Sequence, residues 1–254
     1  MRSRILVLVV LSMAVFALAC QPAPQANDNA AEQAAEEHEQ AGHEEQGTET
    51  GPEHDHQAEQ SDERAAYSKP QEVYDFLGVK QGDRIVDLRA GGGYNTILMA
   101  KRVGPEGKVI AQMARPEFKE RVSGGDLQEL GNVGFVEELS ELETGSIDDV
   151  VAVRAYHLFS DVPAMLAELH RAMVPGGVVG IVEVRLNQPE GHDMKTHRMG
   201  EQTVISDMQA AGFEYVGSSD MLRRDDDDYT VYIPENRQRY HTDRMLLKFR
   251  KPDY

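Results

Sequence analysis

Residues 83–103 read D-R-I-V-D-L-R-A-G-G-G-Y-N-T-I-L-M-A-K-R-V. A short apolar run, Ile85 to Leu88, meets three glycines. An amphipathic segment follows from Tyr94 to Val103 and is closed by Gly104-Pro105. Such a succession predicts a strand, a tight turn and a helix. Glycines allow the turn and let a ligand approach the backbone with no Cβ in the way. The loop is therefore expected to cradle a nucleotide-type ligand, although Arg89 stands where such a loop opens on glycine. If that position requires a positive φ, an arginine is strained there.

The same alternation continues in both directions. Helices are predicted over residues 70–79, 94–103, 116–122, 162–173 and 197–211, with Asp161 as the N-cap of the fourth. Strands are predicted over 83–88, 108–112, 132–138, 149–156, 178–184, 213–217 and 244–250. Strands alternating with helices imply an α/β fold, a mostly parallel sheet covered on both faces. The non-helical stretch before the last strand suggests a terminal hairpin. Ligands of such sheets bind at the carboxyl ends of the strands.

The first 64 residues are of a different material. Residues 1–20 carry Arg2 and Arg4 ahead of an uncharged apolar run, Ile5 to Ala19. That run is shorter than a membrane span needs and is expected to be a signal peptide. Cys20, the only cysteine, follows Ala19 and cannot form an internal disulfide. Its setting resembles the lipobox of bacterial lipoproteins, which implies lipidation at Cys20, an exported chain facing the periplasm and, with Gln21 next, the outer membrane. Residues 21–64 hold 13 acidic residues against one arginine and no aromatic residue. Such a composition predicts a disordered acidic tether. Its His38, His43, His54 and His56 fit no closed metal site. The domain from 65 to 254 carries a net charge of about −8 of the chain's −18. It shows no basic stripe, which argues against nucleic acid as a partner.

Taken together, V-D-L-R-A-G-G-G-Y (86–94), L-E-T-G-S-I-D-D-V-V (142–151), M-V-P-G-G-V-V-G-I-V-E (173–183), A-A-G-F (210–213) and T-D-R-M-L-L-K-F-R-K-P (242–252) resemble the class I S-adenosylmethionine-dependent methyltransferases. With V-R-A-Y-H (153–157), the last blocks resemble an exported subgroup of that family. The resemblance implies a three-layer Rossmann-like fold, a seven-stranded sheet with one antiparallel strand. It implies S-adenosyl-L-methionine as cofactor, with Asp87 near the methionine ammonium and Arg89, Gly91, Gly92 and Gly93 around the loop. It places Gln112 where the family has an acid for the ribose, so cofactor affinity is expected to be weaker: an amide has one accepting oxygen. It places Glu138 near the adenine amino group. Arg154, Tyr156 and His157 fall where the family faces its acceptor, and His157 has the chemistry of a general base. The expected function is in-line methyl transfer to a small molecule or envelope component. A different class of function is a tethered binding or scaffold protein whose cofactor pocket has decayed or been re-used.

Overall fold

The computed structural model describes residues 63–230 and 241–253. The expectations for the signal segment, Cys20 and nearly all of the tether lie outside the described residues. Among the described residues no helix is long and apolar enough to cross a membrane.

A helical segment over residues 63–68 (α1) leads the domain and takes in two residues read as tether. Then come α2 (Pro70–Leu77), β1 (Arg84–Leu88), α3 (Tyr94–Val103), β2 (Lys108–Gln112), α4 (Pro116–Gly124), β3 (Val133–Val136) and β4 (Ile147–Val153). The second half holds α5 (Val162–Ala172), β5 (Met173–Val184), β6 (His192–Asp193), β7 (Arg198–Met199), α6 (Glu201–Ala210), β8 (Glu214–Ser218) and β9 (Arg244–Arg250). The main sheet has the order β3-β2-β1-β4-β5-β9-β8. Strands β1 to β5 pair in parallel, while β9 runs antiparallel to both β5 and β8. This is the expected seven-stranded sheet with one antiparallel strand, and β8–β9 is the expected terminal hairpin.

Buried side chains form two clusters. One gathers Val86, Leu88, Val150, Leu166, Leu169, Val204, Met208 and Phe249 against α5 and α6. The other gathers Ile85, Val109, Val151 and Leu246 against Tyr74, Leu77, Met99 and Phe118 on α2, α3 and α4. Alternate residues of one strand fall in different clusters, as period-two side chains of a doubly covered sheet must. Apolar burial on both sides is what fixes the strand register. Asp161 caps α5 as expected, its carboxylate accepting the Ala164 N–H at 3.0 Å.

One local expectation is corrected. The helix expected from 197 begins only at Glu201, because Arg198–Met199 pairs with His192–Asp193 as a small hairpin and Gly200 remains extended. The reason is tertiary. Arg198, with a fully buried side chain, donates to both carboxylate oxygens of Asp227 at 2.8 and 3.0 Å. Asp227 belongs to the acidic run 225–228, so that run is not wholly a polar loop: one member is a buried counterion that also accepts the Asp243 N–H.

Candidate active site

The carboxyl ends of β2, β1 and β4, three adjacent strands, share an unusual backbone. Met113, Arg89 and Arg154, each the first residue past its strand, have φ of +51°, +54° and +54°. A left-handed conformation costs a non-glycine residue about 1–2 kcal/mol, and strain of this kind concentrates at functional sites. The strain expected at Arg89 is therefore present, and it recurs at Met113 and Arg154, where no sign of it is legible in the sequence. All three turn the chain away sharply, so the strand ends open onto a cleft.

At the glycine loop, Gly91 and Gly93 also have positive φ, and Gly93 caps α3. A Cβ on Gly93 would lie 2.3 Å from the Phe118 ring, so only glycine lets α4 close against the loop. Gly92 is exposed on the loop. Asp87 is buried beneath it and accepts the Thr96 hydroxyl at 2.5 Å. Burial pushes its carboxyl up to about 7, the Thr96 bond opposing that only in part. A cation arriving beside Asp87 would restore its charge.

Gln112 is buried at the end of β2. Its Oε1 accepts the Arg89 N–H at 3.0 Å and its Nε2 donates to the Glu137 carbonyl at 2.8 Å. The amide thus ties the strained Arg89 turn to the turn after β3, a role its sequence position does not reveal. Arg89, Gln112, Met113, Glu138 and Phe159 line a cleft with an empty volume of about 780 Å³, open mouth included. Glu138 is exposed at its rim and opens a capping box with Glu141. The Arg89 guanidinium lies 5.6 Å from the Phe159 ring centre, so it runs along the cleft wall.

On the other side of β1 lies the group of residues after β4. Here His157 and Glu183 form a buried pair, Nδ1 to Oε2 at 2.9 Å. Glu183 Oε1 also accepts the Tyr156 N–H at 2.7 Å. A carboxylate that accepts from Nδ1–H leaves Nε2 as the accepting nitrogen of His157. Two more histidines cover it: the His197 ring centre is 5.1 Å away and that of His192 is 6.3 Å away. Burial first, and then the neighbouring His157, depress the pKa of both, which favours their neutral forms. Tyr156 does not face the cleft. Its ring is buried in the core and its hydroxyl donates to Asp207 on α6 at 3.0 Å. The expected acceptor-facing role for Tyr156 is corrected accordingly, since side chains of successive residues leave a turn in different directions.

Arg154 lines a second pocket with Arg64, Tyr67, Tyr94, Asn95 and Arg244, of about 470 Å³. Sequence reasoning missed Glu183, His192, His197 and Arg244. A glutamate inside the apolar strand V-V-G-I-V-E-V was the one available signal, because a buried acid demands a partner.

Residues 86–181 match the family described as "Methyltransferase domain". An arsenite methyltransferase of Halobacterium salinarum is 27% identical over 159 residues, which are 56% of this chain and 40% of that protein. An uncharacterized methyltransferase of Bacillus subtilis is 28% identical over 149 residues, 54% of this chain and 75% of its own. The chain thus spans well under half of the first relative and three quarters of the second. Among solved structures, an S-adenosylmethionine-dependent methyltransferase from Aquifex aeolicus superposes with a TM-score of 0.55 at 20% identity, over 71% of this chain and 88% of that one. Residues 86–181 thus match a methyltransferase-domain family, and the chain has the Rossmann-like fold of the solved methyltransferases.

Proposed function

We propose that the chain is an S-adenosylmethionine-dependent methyltransferase acting on a small-molecule acceptor. The observation that carries this is the glycine loop at the carboxyl end of β1, inside the matched segment, whose first residue, Arg89, lines a cleft with Gln112 and Glu138. The residues present fit the cofactor. Gly91 and Gly93 keep the loop backbone approachable, Asp87 is a buried acid awaiting a cation, and Gln112, Glu138 and Phe159 form an adenosine-sized wall. When bound, the cofactor supplies an electrophilic sulfonium methyl. The chain's own groups would do the rest. Asp87 would hold the ammonium, Gln112 and Glu138 would face the nucleoside, and Arg154 would stand at the border of the acceptor side. His157, held by Glu183, takes a proton at Nε2 from an acceptor O–H or N–H. His192 and His197 stand beside its ring.

Calorimetric titration of the full chain with S-adenosylhomocysteine tests the reading. Micromolar affinity is expected, and a folded chain that takes up none at millimolar concentration would refute it. One observation favours the second reading, a non-catalytic binding protein: both polar ends of Gln112 are already engaged by backbone groups. Binding without methyl transfer to any of a panel of anionic, phenolic and thiol acceptors would favour that alternative. We also propose that Cys20 is lipidated and tethers the domain in the cell envelope. Support comes from the basic start, the apolar run and the otherwise unexplained single thiol. Replacing Cys20 by Ser should release the chain from membranes and end the uptake of labelled palmitate.

A further inference from the structure

We infer that the pocket between α1, the start of α3, the end of β4 and the start of β9 binds a carboxylate or phosphate group of the methyl acceptor, with Arg244 as its main anchor. The word acceptor rests on the methyltransferase reading; the anion site does not.

The pocket's composition is the first ground. Arg64, Arg154 and Arg244 line it, and no carboxylate stands among its described lining residues. Three guanidinium groups thus converge in a chain whose formal net charge is −18. Positive potential focused in a low-dielectric recess attracts small anions against the sign of the whole molecule.

The second ground is Arg244 itself. It is 3% exposed, and its Nε is buried with no hydrogen-bond partner among the described residues. Its Nη2 donates to a neutral acceptor, the Tyr67 carbonyl, at 2.6 Å. The acid beside it in sequence, Asp243, is turned to other cations: Arg185 at 2.9 Å and Arg223 at 2.8 Å. A buried cation without a carboxylate against it is costly. Burial, with Arg154 and Arg224 near, indeed lowers the Arg244 pKa to about 10. An anion entering the pocket would relieve that cost.

The third ground is preorganisation. The Arg244 guanidinium stacks 3.5 Å from the centre of the Tyr67 ring, and Arg64 stacks 3.6 Å from that of Tyr94. The Tyr67 hydroxyl is held at 2.7 Å from Thr242. Stacked guanidinium planes present their N–H edges in a fixed fork, the geometry that suits carboxylate and phosphate oxygens. The recess is small, with room for a carboxylate or phosphate group rather than a whole ligand. The pocket also adjoins both halves of the site. Asn95 belongs to the helix after the glycine loop, and the charge of Arg154 is felt at His197 beside the proposed base.

The same chemistry could come from the cofactor's own carboxylate, so the test separates the two sources. The full chain is titrated calorimetrically with malonate and with inorganic phosphate at constant ionic strength, and separately with S-adenosylhomocysteine. Arg244→Gln and Arg64→Gln are compared with the control Arg250→Gln, which removes an exposed pair with Glu214. Saturable binding of at least one anion is expected, weakened about tenfold or more by Arg244→Gln and unchanged in the control. S-adenosylhomocysteine should bind equally well with the anion present. No saturable anion binding overturns the inference. Competition between the anion and S-adenosylhomocysteine overturns it too, by assigning the pocket to the cofactor. If the anion binds and S-adenosylhomocysteine does not, the methyltransferase reading fails and an anion-binding protein remains. Should Arg244→Gln unfold by circular dichroism, the partly exposed Arg64→Gln carries the comparison, with a smaller loss expected.

Discussion

The two ends of the sheet's carboxyl edge are built on different principles. The glycine-loop end draws on residues 87 to 138, close in sequence, and its buried polar groups satisfy one another: Thr96 with Asp87, Gln112 with Arg89 and Glu137. The arginine–histidine end draws on residues 64, 154, 157, 183, 197 and 244, brought together only by the sheet. It concentrates charge and imidazole rings behind a short hairpin. The first end is a rigid mould that the local chain dictates. The second is an electrostatic site whose cost is borne by the fold around it. A domain of this design can hold its cofactor side constant while its acceptor side diverges.

The difference can be broken most severely at His157. If it is the base, His157→Gln should lower the turnover of any acceptor with an ionising proton by about 10²- to 10⁴-fold, with little change in the thermal midpoint. Glu183→Gln should cost less and should shift the pH–rate profile, which a merely structural role would not do. Unchanged turnover in both would remove the pair from the chemistry.

The second largest effect is expected behind the same end. Arg198→Met leaves Asp227 buried and unpaired and should destabilise the domain by about 3–5 kcal/mol. The double change with Asp227→Leu should recover most of that in urea unfolding, because both charges are then gone. At the glycine-loop end, Gly93→Ala puts a methyl group against Phe118 at a φ of +79°. Overpacking and a left-handed backbone together should cost about 2–4 kcal/mol, with cofactor affinity falling as the loop shifts.

A pH titration sharpens the comparison further. Asp87 has a folded pKa raised to about 7 from an ordinary 3.8. Between those values the folded state binds more protons than the unfolded one. Stability therefore falls as pH rises from about 4 to 7. Asp87→Asn should flatten this slope only in part, because burial and the neighbouring Asp83 raise Asp149 to about 7 as well. A ligand cation beside Asp87 should bind more tightly above pH 7 and release a proton on binding, seen as a dependence of calorimetric heat on buffer ionisation enthalpy. The smallest effect is expected for Arg89→Gly, which relieves the +54° φ. It should gain no more than about 1 kcal/mol, offset by the loss of the side chain's contact with Phe159.

Much of this was legible in the chain. Apolar runs located every strand of the main sheet, the central ones because they bury side chains on both faces of a doubly covered sheet. The turn after Leu88 was legible because glycine permits a tight turn, whereas Pro175-Gly176-Gly177, read as a stop between α5 and a strand from 178, lies inside β5, which begins at Met173. The sequence alone thus determined the α/β class, the glycine loop and the Asp161 cap. The small hairpin, the late start of α6, the engagement of Gln112 and the inward turn of Tyr156 were not legible. Each depends on a partner far away in the chain: Asp227 for Arg198, Glu137 for Gln112, Asp207 for Tyr156. The convergence of Arg64, Arg154 and Arg244 likewise exists only once β9 inserts beside β5 and α1 folds over the sheet edge. Local propensity and period are properties of neighbours in sequence, whereas a charge's partner is chosen by distance in space. Only the tertiary structure decided where the charges of this protein meet.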